Sequence, residues 1–143
     1  MSQTATVQHF NPEGLPSNPA FTNVVAVHGP ATTVYVGGQN AVTASGEIAG
    51  KGDIAAQAAQ VFHNLEIALA AAGAGLEHVI KWNLFVVEGQ PLQPGFEVFQ
   101  QVWGSRPNPP VITAAFVSAL AQPDFLVELD AVAVVPDRRE DER

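Results

Sequence analysis

The sequence contains no cysteine. That excludes a disulfide framework, a thiolate nucleophile and any cysteine-ligated metal. Basic residues are scarce: 6 Lys and Arg stand against 14 Asp and Glu, a formal net charge of −8. Nucleic acids and anionic membrane surfaces are bound through basic patches, so neither is an expected partner. Charged residues of all kinds make up only 14% of the chain, against 47% hydrophobic residues. That balance excludes a disordered chain or a heavily charged helical one, and it points to apolar surface covered by another subunit. Uninterrupted apolar runs of membrane-spanning length are also missing. The nearest, Ile54 to Ala72, is broken by Gln57, Gln60, His63, Asn64 and Glu66. The opening MSQTATVQHF carries neither the basic nor the apolar region of a signal peptide. A soluble, cytoplasmic protein is the expectation.

What is present fits one domain with a sizeable core, residues 1–136, followed by the charged tail DRREDER, residues 137–143. Thr6–Phe10 reads as a short strand before a loop rich in Pro, Gly and Asn. Val24–His28 and Thr32–Gly38 follow, joined through Gly29 and Pro30 in what resembles a hairpin. The strongest helix is Ile54–Ala72, whose residues Ile54, Ala58, Val61, Leu65, Ala68, Leu69 and Ala72 recur at helical steps. Asp53 is placed to cap its start and Gly73 to end it. His78–Val87 has strand composition, and PLQPGFEVFQQVWG suggests a second helix ending at Gly104. RPNPP must be a loop, because proline breaks helices and central strands. Val111–Val117 and Phe125–Val135 are two further strands. The order β-β-β-α-β-α-β-β predicts an α+β fold with helices on one face of a sheet.

The last strand is unusual. Side chains alternate across a strand, so Phe125, Val127, Leu129, Ala131, Ala133 and Val135 form one apolar face, suited to carrying the helices. Glu128 and Asp130 share the other face with Leu126, Val132 and Val134. One reading is an edge strand whose two acids simply meet solvent, although a wet face would ordinarily hold Lys, Thr or Gln beside them. This apolar frame suggests a semi-buried cleft or subunit interface instead, where a desolvated carboxylate would have a raised pKa and could serve as a general base.

Several segments together resemble one family. NPAFTNVVAV stands where that family has its glycine-proline-tyrosine-serine-glutamine stretch, and VYVGGQ is similar to its strand ending in serine-glycine-glutamine. GDIAAQAAQVFHNLEIALAAAGAGLEHVIKWNLFV follows its long helix and next strand; FEVFQQVW and VELDAVAV correspond to its second helix and closing acidic strand. The family is Rid/YjgF/UK114, the reactive-intermediate deaminases, also labelled endoribonuclease L-PSP. The resemblance spans nearly the whole chain. It implies a chorismate-mutase-like fold and a homotrimer with a central β-barrel and helices outside. It also implies inter-subunit clefts that bind small metabolites and hydrolyse imines or enamines, with no metal or organic cofactor.

Carried over residue by residue, the family's cleft glutamate falls on Glu128. Its tyrosine falls on Phe21, its strand serine on Gly37, followed by Gly38 and Gln39, and its helix asparagine on Phe96. The substrate-binding arginine falls on Ile112 and the adjoining serine on Thr113. The alignment needs one extra residue before Pro123, so Val111 and Thr113 are alternative positions for the arginine; neither is basic. A guanidinium grips a carboxylate bidentately, which no aliphatic side chain can do. The resemblance thus implies an enzyme of altered specificity, acting on a C=N or related electrophile with Glu128 as water-activating base. Ordinary 2-imino acids are not its expected substrates. The alternative is a non-catalytic small-molecule-binding or regulatory trimer. Arg106, in the loop ahead, is the one nearby arginine that could stand in.

Weaker signals point to structure. His63 and Glu66 lie one helical turn apart without further metal-ligand spacing, and GEIAGKG lacks the spacing of a phosphate loop. Phe96, Phe99 and Trp103 read as packing, with Phe96 also a candidate cleft wall.

Overall fold

The computed structural model describes residues 5–137; from Arg138 onward the expected charged tail lies outside the described residues. The elements run β1 (Thr6–Phe10), β2 (Val24–His28), β3 (Ala31–Gln39), α1 (Ile54–Ala71), β4 (Val79–Val87), α2 (Leu92–Trp103), β5 (Val111–Val117) and β6 (Val127–Pro136), with a single 3₁₀ turn at Leu76–His78. Two helices pack on one face of a mixed four-stranded sheet ordered β3-β6-β4-β5. β6 pairs antiparallel with both β3 and β4, while β4 and β5 run parallel. A parallel pair cannot be joined by a tight turn, and α2 supplies the crossover.

The expected hairpin between the second and third strands does not form. β2 pairs with β1 in a separate two-stranded sheet, and β3 pairs with β6. Gly29, at φ 88°, turns the chain between them, and only glycine enters that region without cost. Local sequence carries the turn; the choice of partner is made by residues far away in the chain.

α1 begins where Asp53 Oδ1 accepts a hydrogen bond from the Ala56 N–H (3.2 Å) and ends at Ala72, ahead of Gly73 at φ 77°. Its buried face is Ile54, Gln57, Ala58, Val61, Phe62, Leu65 and Leu69. These residues meet the inner face of the sheet: Val34 and Val36 from β3, Trp82 and Val86 from β4, and Val127, Leu129, Ala131 and Ala133 from β6. The predicted apolar face of the last strand is therefore the one under the helices, although the strand starts two residues later than expected. Trp82 is the hub of the aromatic packing, with ring centroids 5.9 Å from Phe62, 5.5 Å from Phe99 and 5.7 Å from Trp103, all edge-on.

Candidate functional site

The strand register sorts the sequence-derived site residues onto two faces. Trp82 lies under the helices and pairs with Ile112, and Leu84 pairs with Ala114, so Ile112 and Ala114 also face the helices. A cavity of about 450 Å³ opens there between α2 and the sheet. Phe21, Phe96 and Ile112 line it together with Leu84, Phe99 and Ala114; none of the lining residues is titratable. Phe21, Phe96 and Ile112, distant in sequence, are thus gathered around one apolar space. Phe96 and Ile112 remain 40% and 36% exposed at its mouth.

Glu128 is on the other side. It follows Val127 and precedes Leu129, both core residues, so alternation directs it away from the cavity of its own protomer. Its neighbour there is Gly38: a Cβ placed on Gly38 would stand 2.7 Å from Glu128 Oε2 and 2.8 Å from Cδ. The pairing of β3 with β6 is interrupted between Val36 and Gln39, leaving Gly37 and Gly38 without register partners. The irregular strand lets the glutamate lie against bare backbone. Gln39 turns its Nε2 back to donate to the Gly37 carbonyl (3.2 Å). Gly37, Gly38, Gln39 and Glu128 thus form a second cluster.

Asp130, next along that face, has its own answer. It accepts from the Asn83 backbone N–H and Nδ2, both to Oδ1 at 3.0 Å, with a longer 3.3 Å contact from Nδ2 to Oδ2. Asn83 in turn pairs with Thr113, which places Thr113 in the same row. The two acids therefore differ: Asp130 is held by an amide and a backbone donor, and Glu128 has no hydrogen-bond or ion-pair partner among the described residues. Arg106 does not line the cavity. Its Nη1 donates to the Val102 (2.8 Å) and Trp103 (3.0 Å) carbonyls at the end of α2, a cation placed at the negative end of a helix.

Gly38→Ala should cost the fold little, about 0.5 kcal/mol, because what it crowds is the Glu128 side chain, whose carboxylate must swing aside and whose Cγ, 3.1 Å away, must give slightly. It should still displace the Glu128 carboxylate and with it any function that group has. Comparing the denaturation midpoint with ligand turnover or binding separates the two effects.

Sequence reasoning missed three contributors. Leu84 and Ala114 join the cavity only because β4 and β5 run parallel in one register. His9 is the other, at the edge of a smaller polar pocket of about 200 Å³ that shares Phe21 and Asn18 with the cavity. Along β1, Val7 and His9 turn inward while Thr6, Gln8 and Phe10 are exposed. His9 Nε2 is buried with no hydrogen-bond partner among the described residues, and burial lowers the pKa of the ring from its usual 6.5. The unfolded chain then binds more protons than the folded one just below pH 6.5, so stability falls as the pH is lowered through that range. Thermal melts from pH 7.5 to pH 5 should show this loss, and His9→Phe should reduce it; no other lining residue of the pocket titrates.

The chain matches the family model described as endoribonuclease L-PSP over residues 16–135. It is 34% identical to a RutC family protein of Synechocystis sp. over 62% of this chain and 67% of that one. A RutC family protein of Pyrococcus abyssi is 33% identical over 70% of this chain and 76% of its own length. Among solved structures, a Rid family protein of unknown function from Yersinia pestis superposes with a TM-score of 0.76 at 32% identity, covering 90% of this chain and 98% of that one. The YjgF protein of Escherichia coli does so with a TM-score of 0.64 at 26% identity, covering 75% of this chain and 81% of that one. The two helices on a mixed sheet are the YjgF-like arrangement, and with a family match over most of its length the chain belongs to the Rid/YjgF/UK114 family, also described as endoribonuclease L-PSP.

Proposed function

We propose that the chain acts as a homotrimer that takes a small metabolite into clefts between subunits, and that it hydrolyses a C=N or related electrophile there. The observation that carries this reading is the division of the site. Each protomer offers an apolar cavity on one face of its sheet and Glu128, backed by Gly38, on the other. The two can meet only across an interface. The edge strand β5 supports such an interface: VITAAFV has no charge or proline, and Ile112 to Phe116 are exposed along it. A bare apolar edge of that kind invites pairing or burial by another chain.

In such a cleft the apolar part of the ligand lies against Phe21, Phe96 and Ile112 of one protomer. Glu128 of the next removes a proton from water, whose oxygen attacks the C=N carbon. The nitrogen takes up a proton from solvent as the C=N π bond opens. Collapse of the resulting carbinolamine to a C=O group releases its hydroxyl proton to solvent and expels the amine or ammonia, with Glu128 returning its proton to the leaving nitrogen. The N–H groups of Gly37 and Gly38, unpartnered in the strand register, and Gln39 are the local groups available to polarise the electrophile. With an aliphatic residue at Ile112 and no cation lining the cavity, the favoured substrates are uncharged and apolar.

Ammonia release from imines generated enzymatically from amino acids and amines of graded polarity tests this reading. Apolar amine-derived imines should be hydrolysed faster than 2-imino acids, and Glu128→Gln should lower the rate by about 10²–10⁴-fold. Unchanged turnover in that variant would remove Glu128 as the base. A second reading, a binding trimer without chemistry, is favoured by the absence of any titratable residue in the cavity lining. An apolar metabolite that raises the melting temperature without being consumed supports it.

A further inference from the structure

The small polar pocket beside Phe21 has a lining unlike that of the apolar cavity. His9, Asn11, Asn18, Thr22 and Asn108 surround it, and no carboxylate, lysine or arginine does. Several of these groups retain unused hydrogen-bonding capacity. Asn18 Oδ1 accepts from the Ala20 N–H (2.8 Å), and Asn11 Oδ1 accepts from Asn23 N–H (2.8 Å) and Nδ2 (2.9 Å). Neither Asn11 nor Asn18 uses its Nδ2 on another described residue, and His9 Nε2 is buried without a partner. An unmet ring nitrogen at a buried position is costly unless something binds it. The Thr22 hydroxyl is committed to the Pro109 carbonyl and braces the wall. Asn108 holds a left-handed backbone at φ 57°, an uncommon conformation for a residue other than glycine, and it lies on the rim.

We infer that the polar pocket is the headgroup subsite of the same ligand that fills the apolar cavity, and that the headgroup is a neutral primary carboxamide or a closely similar urea-type group. The inference rests on the metabolite-binding reading above and names the substrate class for it. Phe21 and Asn18 line both spaces, so the two lie side by side against the same residues. A carboxylate or phosphate would find no cation in the lining, and an ammonium no acid. A carboxamide offers two N–H donors and an oxygen, the complement of amide side chains and a neutral imidazole. The space of about 200 Å³ suits a group of roughly six heavy atoms or fewer, at about 30 Å³ for each water-sized unit. Burial keeps the His9 ring neutral at physiological pH, which suits an uncharged partner. The lost carboxylate anchor at Ile112 is in this way replaced by a neutral one on the other side of Phe21.

Binding of matched probes to the full chain tests this: phenylacetamide, phenylacetate and toluene, followed by calorimetry or ligand-observed NMR. Phenylacetamide should bind at least tenfold tighter than phenylacetate. His9→Phe should erase that preference while toluene binding persists. Asn18→Asp, which keeps the oxygen that accepts from Ala20 but loses Nδ2, should weaken phenylacetamide binding and guards against misfolding of the first variant. Equal affinity for amide and acid, or a preference surviving both substitutions, overturns the headgroup assignment and leaves the apolar cavity standing. If toluene does not bind either, the metabolite-binding reading fails with it.

Discussion

Replacing Trp82 with alanine should cost about 3–5 kcal/mol of stability, the range for deleting a large aromatic side chain from a core. Trp82 is 2% exposed and touches Phe62, Phe99 and Trp103 through edge-on ring contacts. Its ring also forms a wall of the apolar cavity, so the void left behind would merge with an existing one and the surroundings could not close over it. Against a typical total of about 5–15 kcal/mol for a domain, that is a large fraction. Urea denaturation should show a lower midpoint with an unchanged slope. Trp82→Phe, which keeps an aromatic ring, should lose less than half as much. Similar losses for both variants would mean that contacts specific to the indole, not the volume removed, set the cost.

Gln57→Leu should destabilise nearly as strongly, by about 2–4 kcal/mol, although leucine is the better core residue by composition. Gln57 is 0% exposed. Its Nε2 donates to the carbonyls of Gly50 (3.2 Å) and Asp124 (2.9 Å), and its Oε1 accepts from the Leu126 N–H (2.9 Å). One amide therefore pins the start of α1 to the loop before it and to the segment entering β6. A leucine leaves the Asp124 carbonyl and the Leu126 N–H without partners, while the Gly50 carbonyl keeps the Asp53 N–H (2.9 Å); each orphaned group costs more than its hydrogen bond contributed. Because Leu126 lies two residues before Glu128, the same change should loosen the strand that carries the carboxylate. Hydrogen exchange at Leu126 should accelerate in the variant; unchanged exchange there would show that the clamp does not govern β6.

These two residues also show where the sequence was readable and where it was not. The helical stripe was legible, and so was the inner face of the last strand, because periodicity in one element needs no knowledge of its partner. Gln57 sits on that stripe, three residues after Ile54 and four before Val61, and its spacing would have placed it inside. Its polarity hid it, since a polar residue reads as exposed until its partners are known. The β2–β3 hairpin failed for a different reason: strand pairing is set by long-range register, and the turn at Gly29 and Pro30 only looks like a closing one. Ile112 is the most instructive position. Its residue type announced an apolar site, but its face follows from the parallel pairing with Trp82, which no local pattern contains. The partner of Asp130 was equally out of reach, because Asn83 lies 47 residues away in sequence.

The central claim is that the cavity of one protomer and the Glu128 cluster of another form a single cleft. The absence of cysteine makes it directly testable, because introduced thiols are the only ones present. Ile112→Cys marks the cavity mouth and Gln39→Cys the Glu128 cluster, and the two positions lie on opposite edge strands of one sheet. Equal amounts of the two single variants, unfolded together, refolded and treated with a short bis-maleimide, should give a covalent dimer of chains in high yield. Neither variant alone should do so, and light scattering should report three chains per particle. A monomeric mass, or no cross-link between the mixed variants, would contradict the shared cleft.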